Sequence, residues 1–182
     1  MNLFLKEPTI QDKEEVLKMC MELNTCDDEY PFEGAYKLRS LLDMTYEEWL
    51  KKLAEDKTIE NFNPNWSNAT SYILVDEDNH VYGFTQLRYN LKGNLTNIGG
   101  NIGYAIRPSE RKKGYATKQL ELVLDKASEC GLDKVLLTCR DNNIGSRKTI
   151  EKYMGEQIEP VPSNYPNIME LRYWVNTKCK IK

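Results

Sequence analysis

The sequence predicts one α/β (α+β) domain in which a sheet is flanked by helices. Three observations carry this. Apolar residues recur at three- and four-residue spacing in two well-separated segments, strand-like runs dominate the middle of the chain, and the longest amphipathic segment leads straight into a buried-type strand. A chain of 182 residues suits a single domain over 1–182. At that length roughly 70% of the unfolded surface is buried on folding, enough for a core without metals or disulfides.

Each element has its own signal. Residues 2–6 alternate as a strand, and Thr9-x-x-Asp12 resembles a capping box opening a helix with Val16, Leu17, Cys20 and Leu23 on one face. An acidic, irregular stretch, 26–34, precedes two short helical segments, the second capped by Thr45-x-x-Glu48 and carrying Tyr46, Trp49, Leu50 and Leu53. The Asn-rich run 61–68 reads as loop. Residues 72–75 and 81–89 flank the turn Asp76-Glu77-Asp78-Asn79 as a β-hairpin, and 102–106 form a strand that Pro108 ends. The strongest helix is 114–130, with Ala116, Leu120, Val123, Leu124 and Ala127 on one stripe and Gly131 at its C-cap. A strand at 134–139, a helix at about 144–153 and a last strand at 168–175 complete the order β-α-α-β-β-β-α-β-α-β.

Composition excludes several functions. With 25 basic against 28 acidic residues the net charge is −3, which does not suit a general nucleic-acid binder. One histidine, His80, makes Ser-His-Asp or Cys-His catalysis and His-rich metal sites poor readings, and no metal is expected. The five cysteines, Cys20, Cys26, Cys130, Cys139 and Cys179, contain no C-x-x-C pair and read as free thiols in a reducing compartment. The apolar stretch at the N-terminus is too short for a signal sequence, and no window approaches the ~20 apolar residues of a membrane span. A cytoplasmic protein with no membrane partner is expected, so the three Asn-x-Ser/Thr sequons starting at Asn65, Asn68 and Asn94 are chance matches.

The chemistry concentrates where the strand 102–106 turns into the long helix through Arg107-Pro108-Ser109-Glu110-Arg111-Lys112-Lys113-Gly114-Tyr115-Ala116-Thr117. A helix N-terminus presents unpaired N–H groups and about half a positive charge, so it attracts phosphate. Gly114 and Ala116 permit close approach of a ligand to the backbone, and Arg111, Lys112 and Lys113 add positive charge. The turn is neither a P-loop nor a three-glycine dinucleotide fingerprint.

Arg111-Lys112-Lys113-Gly114-Tyr115-Ala116 matches the signature [RQ]-x-x-G-x-[GA], and with it the chain resembles the GNAT superfamily of acyl-CoA-dependent N-acetyltransferases; within it, Leu87-Arg88-Tyr89-Asn90-Leu91 followed by Gly99-Gly100-x-Ile102-Gly103-Tyr104 resembles a little-characterised bacterial subgroup. Asn143-Ile144-Gly145-Ser146 opening a helix resembles the family's next motif, and the element order matches the GNAT fold over nearly the whole chain. The resemblance implies a mixed, mainly antiparallel sheet in which two central strands splay and the pantetheine arm of acetyl-CoA fills the gap. Backbone groups of Ala105 and Ile106 would bond that arm, and an N–H near Ile106 would polarise the thioester carbonyl. The N–H groups of Lys113, Gly114, Tyr115, Ala116 and Thr117 would hold the pyrophosphate, and Asn143 would contact the cofactor arm. The implied reaction is direct acetyl transfer to a primary amine, of a small molecule in the first instance and of a protein in the second, by a chain able to form a homodimer. A non-catalytic acyl-CoA sensor on the same fold is the alternative.

The sequence departs from the family at the catalytic groups. Seven residues after Asn143, where relatives place a tyrosine that protonates the CoA thiolate, stands Ile150; Tyr153 is the nearest substitute, or else packs beneath the sheet. The strand before Pro108 carries Asn101 where the subgroup often has histidine, so a base is sought in the acidic loop, at Asp28, Glu29 or Glu33, which otherwise is a solvated acidic segment. Arg88 reads as an outward-facing arginine with a functional alternative, Cys139 as a buried thiol with a covalent-stop alternative, and His80 as a surface turn residue.

Overall fold

The Thr9 capping box forms: the N–H and Oγ1 of Thr9 both donate to Asp12 Oδ2 at 2.8 Å, and a 3-10 turn leads into α1 (Lys13–Thr25). The computed structural model describes residues 2–61 and 63–178, so Cys179 lies outside the described residues. Helix α2 (Tyr36–Arg39) and α3 (Tyr46–Asp56) follow the acidic loop, with α3 capped by Thr45 and Glu48 as predicted. Trp49 is wholly buried at its centre and donates its Nε1 hydrogen to Lys37 O at 2.7 Å, tying α3 to α2.

Strands β1 (Phe4–Lys6), β2 (Ala69–Val75), β3 (Val81–Arg88) and β4 (Ile102–Ile106) make one antiparallel sheet in that order. Strands β5 (Lys134–Arg140), β6 (Glu156–Pro162) and β7 (Met169–Asn176) make a second, ordered β5-β7-β6. Helices α1 to α3 bury Val16, Met19, Leu38 and Trp49 against Ile73 and Phe84 on one face. On the other face α4 (Tyr115–Glu129) and α5 (Ile144–Glu151) pack Leu120, Leu124 and Ile150 against Leu87, Ile102, Leu137 and Tyr173. That second core spans both sheets and holds them side by side.

Strand β6 is absent from the sequence reading. It carries Pro160 and Pro162, two charged residues and a register slip between Ile158 and Val161, and among the described residues it pairs only with β7. Proline is tolerated there because an edge strand leaves one row of backbone groups unpaired in any case.

Strands β4 and β5 belong to different sheets and meet at one clasp. Asn101 donates its N–H to Leu136 O at 2.8 Å and accepts from Leu136 N at Oδ1 at 2.7 Å. Its Nδ2 donates to Arg88 O, and its carbonyl accepts from Arg88 N. All four groups of this buried asparagine are thus spent holding the sheets together. Gly100 permits the approach, because a Cβ there would sit 2.2 Å from Leu136 O.

Candidate active site

Beyond the clasp the two strands part, and strand alternation decides which backbone groups face the gap. Arg88 N bonds Asn101 O and Arg107 N bonds Tyr82 O, so the carbonyl of Asn101, the backbone groups of residues 103 and 105 and the N–H of Arg107 turn toward β3. The groups of Tyr104 and Ile106 therefore face β5. On the other side Asp141 N bonds Met169 O and Thr177 N bonds Asp133 O, which turns Thr138 and Arg140 toward β4. This differs from the expectation for Ala105: its own N–H and C=O are used by β3, and the groups of β4 that face the gap belong to Tyr104 and Ile106, of which Ile106 O already accepts from Arg111 Nε. The result is a slot edged by two rows of strand hydrogen-bonding groups, the shape an added strand would fill. A cleft of about 490 Å³ includes it, lined among others by Gly103, Ala105, Ile106, Cys139, Ser146 and Glu170.

At the outer end of the slot lies the basic turn. Gly114 has φ +90° at the N-cap of α4 and Lys112 has φ +62°, a left-handed pair of backbone positions that turns successive N–H groups to one side. Among the described residues the N–H groups of Lys112, Lys113, Gly114, Tyr115 and Ala116 have no hydrogen-bond acceptor; that of Thr117 bonds Gly114 O. A Cβ on Gly114 would meet nothing within 4 Å, so the space before the helix is open. These groups fit a pyrophosphate. The turn is also stapled in place: buried Arg107 pairs with Glu15 at 2.8 Å and Glu22 at 2.6 Å, and Ser109 N bonds Glu22. His80 belongs to the same staple, its ring nitrogens 3.0 Å from Glu15 and 3.2 Å from Glu110, so it is more than the surface turn residue expected.

The acidic loop crosses the other side of the slot. Gly34, at φ +76°, lies so close to β4 that a Cβ would fall 2.1 Å from Tyr104 O. Asp28 pairs with Arg111, whose Nε also donates to Ile106 O at 3.1 Å. Burial opposes the charge on Asp28, but the Arg111 guanidinium outweighs it and holds the carboxyl below its ordinary range. Glu33 takes a bidentate pair from Arg140, at 2.6 and 2.8 Å, plus the Asn143 Nδ2 hydrogen at 3.1 Å. Glu29 is exposed and accepts from its neighbour Tyr30. The loop is thus a strut, with Asp28 and Glu33 already consumed by arginines. Asn143 caps α5 through Oδ1 to Ser146 N while tied to Glu33, so both ends of its amide are engaged.

Other expectations resolve by geometry. Tyr153 is 2% exposed in the core beneath the sheets and donates its hydroxyl hydrogen to Thr117 O at 2.7 Å, away from the cleft lining where a thiolate acid would have to stand. Burial pushes the Cys139 thiol up to about 12, which disfavours the thiolate that a covalent stop would need. Arg88 faces inward, lines the cleft and donates Nη1 to the carbonyls of Gly99 and Gly100, contrary to the outward placement expected. Glu170, which no motif marked, is a buried carboxylate in the cleft wall. Tyr104 reaches the start of α5, its hydroxyl 3.0 Å from Ser146 Oγ.

The family model for the acetyltransferase (GNAT) domain matches residues 2–154. The chain belongs to the GNAT acetyltransferases. It is accordingly an acyl-CoA-dependent transferase. Solved structures share this GNAT fold end to end. A ribosomal-protein-S5-alanine acetyltransferase from Vibrio fischeri superposes with TM-score 0.66 at 12% identity, covering 99% of this chain and 96% of its own. A spermidine N-acetyltransferase chimera from Vibrio cholerae and hSSAT gives 0.62 at 12% identity, with 97% and 96% covered. An N-acetyltransferase from Staphylococcus aureus Mu50 gives 0.61 at 14%, with 98% and 100% covered. No curated protein matches the sequence. Among the described residues no three or more of His, Cys, Asp and Glu gather in a group that could hold a metal ion, and no helix is long and apolar enough to cross a membrane.

Proposed function

We propose that this GNAT domain transfers the acetyl group of acetyl-CoA directly to a primary amine, with a small molecule as the acceptor. The observation that carries the reading is the slot between Tyr104–Ile106 and Thr138–Arg140, aligned with the run of unpaired N–H groups from Lys112 to Ala116. The first has the hydrogen-bond pattern to receive the amides of pantetheine, and the second the charge and geometry to receive a pyrophosphate. When bound, acetyl-CoA supplies the activated acyl group; the chain's residues orient it and exclude water. The N–H of Ile106 stands where it can donate to a carbonyl in the slot, the role of an oxyanion donor. Two ion-paired arms of the acidic loop, Asp28 with Arg111 and Glu33 with Arg140, frame the acceptor side. Relatives of similar fold are named for spermidine and for a ribosomal protein, and identities of 12% do not choose between such acceptors. A small-molecule acceptor is favoured by the size of the cleft, about 490 Å³, whose lining includes Gly34, Tyr36, Arg88 and Tyr165. A reducing, cytoplasmic setting agrees with the free state of Cys20, Cys26, Cys130 and Cys139.

Titration calorimetry tests the cofactor reading. Acetyl-CoA is expected to bind, and Gly114→Glu to weaken it by about tenfold or more, since a side chain at φ +90° costs roughly 1–2 kcal/mol and its carboxylate opposes the phosphates. Absence of binding by the wild type overturns the reading. Free-thiol release with spermidine, amino acids and short peptides then separates transferase from sensor.

A further inference from the structure

We propose that Glu170 is the general base that takes the proton from the acceptor ammonium, a step that rests on the transfer reading above. Glu170, the second residue of β7, lies opposite Arg140 in register and is 6% exposed. Its position shares the sheet face of Thr138 and Arg140, which is opposite to that of Cys139 and Leu171 in the helix-side core. The side chain therefore enters the cleft from the acceptor side. Oε1 is fixed by the Thr138 hydroxyl, which donates to it at 2.7 Å, and Thr138 Oγ1 in turn accepts from Gly99 N at 2.9 Å beside the clasp. Among the described residues no hydrogen bond or ion pair falls on Oε2, so one oxygen is held and the other is left to meet a ligand. The loop carboxylates differ: Asp28 and Glu33 are committed to arginines, and Glu29 is exposed.

The charged groups that act on Glu170 are Arg140 and Asp141 from β5 and its turn and Glu33 from the acidic loop, while Arg88 from β3, Tyr36 and Tyr165 line the same cleft. Burial is the largest influence, and with the negative charges of Glu33 and Asp141 it outweighs Thr138 and Arg140, raising the carboxyl above its ordinary value. A carboxylate of raised proton affinity is the better base for an ammonium. In the step, Oε2 takes one proton from R–NH3+; the freed lone pair forms the C–N bond at the acetyl carbon as the C–S bond breaks. The second proton on nitrogen goes to the CoA thiolate, giving CoA-SH, and Glu170 returns its proton to water.

The test is the pH profile of Glu170→Gln in CoA-thiol release, with spermidine, amino acids and short peptides as acceptors and acetyl-CoA binding followed by calorimetry. The expected result is a 10²- to 10⁴-fold fall in kcat at neutral pH, unchanged acetyl-CoA affinity, and a deficit that shrinks as rising pH supplies the free amine. Glu170→Asp should keep the wild-type acid limb at reduced rate. An unchanged profile overturns the proposal, as does a loss equal at every pH or a loss of acetyl-CoA binding in both variants, each of which marks a structural residue. Absence of turnover by the wild type on every acceptor defeats the transfer reading and Glu170 with it, whereas turnover with an unaltered Glu170→Gln defeats Glu170 alone.

Discussion

Asn101 shows how one buried amide can clasp two sheets together. Its amide bonds Leu136 N and Arg88 O, both backbone groups that would otherwise be orphaned inside the molecule. Asn101→Ala is expected to cost roughly 2–4 kcal/mol in urea unfolding, because two buried groups lose their partners. Tyr153→Phe should cost only about 1 kcal/mol, from its single bond to Thr117 O, and leave the pH profile of turnover in place. A changed profile would restore Tyr153 to the chemistry. The clasp made by Asn101 was not visible in the sequence, whereas packing beneath the sheet was one of the two readings of Tyr153. Asn101 and Glu170 become informative only when residues 35 and 32 positions away, Leu136 and Thr138, fold against them. The Arg111–Ala116 turn was legible because its chemistry is local, a glycine and a helix start within six residues.

At the scale of elements, the long helix, the hairpin and both capping boxes follow from periodicity and caps, which act within a few residues. Strand β6 does not, because its two prolines and charges argue against a strand and only β7 beside it makes one. The split of the sheet is equally non-local, since it depends on a clasp between β4 and β5. The acidic loop is the element whose role changed most. Its glycine, Gly34, is wedged against Tyr104 O in a left-handed conformation, so both sterics and backbone strain resist a side chain. Gly34→Ala should push the loop off β4, lower stability by at least about 1 kcal/mol and raise the KM for the acceptor more than that for acetyl-CoA. Equal effects on the two KM values would place the loop outside the acceptor pocket.

Across the whole molecule the Arg107 staple joins α1, β3 and the turn before α4. Burial raises the Glu15 carboxyl, but hydrogen bonds from Lys18 and Arg107 outweigh it and hold the group down at about 2 against an ordinary 4.5. A carboxyl lowered in the folded state stabilises above its unfolded value and loses that contribution as pH falls. Acid should therefore erode stability between about 4.5 and about 2. Glu15→Gln should flatten that part of the stability curve, and Arg107→Ala should remove about 1.5–3 kcal/mol at neutral pH. A curve for Glu15→Gln parallel to the wild type over that window would show that the pair contributes nothing. The two helical layers, by contrast, rest on apolar burial that pH does not touch.

Amide hydrogen exchange with and without acetyl-CoA tests the central claim, that a split between two sheets is the cofactor site. Exchange should slow at Ile106 and Thr138 along the slot and at Lys112, Lys113, Gly114, Tyr115 and Ala116 around the phosphates, while Ala105, already bonded to β3, stays as it was. Protection that skips the slot, or none at all in the presence of saturating acetyl-CoA, would contradict it.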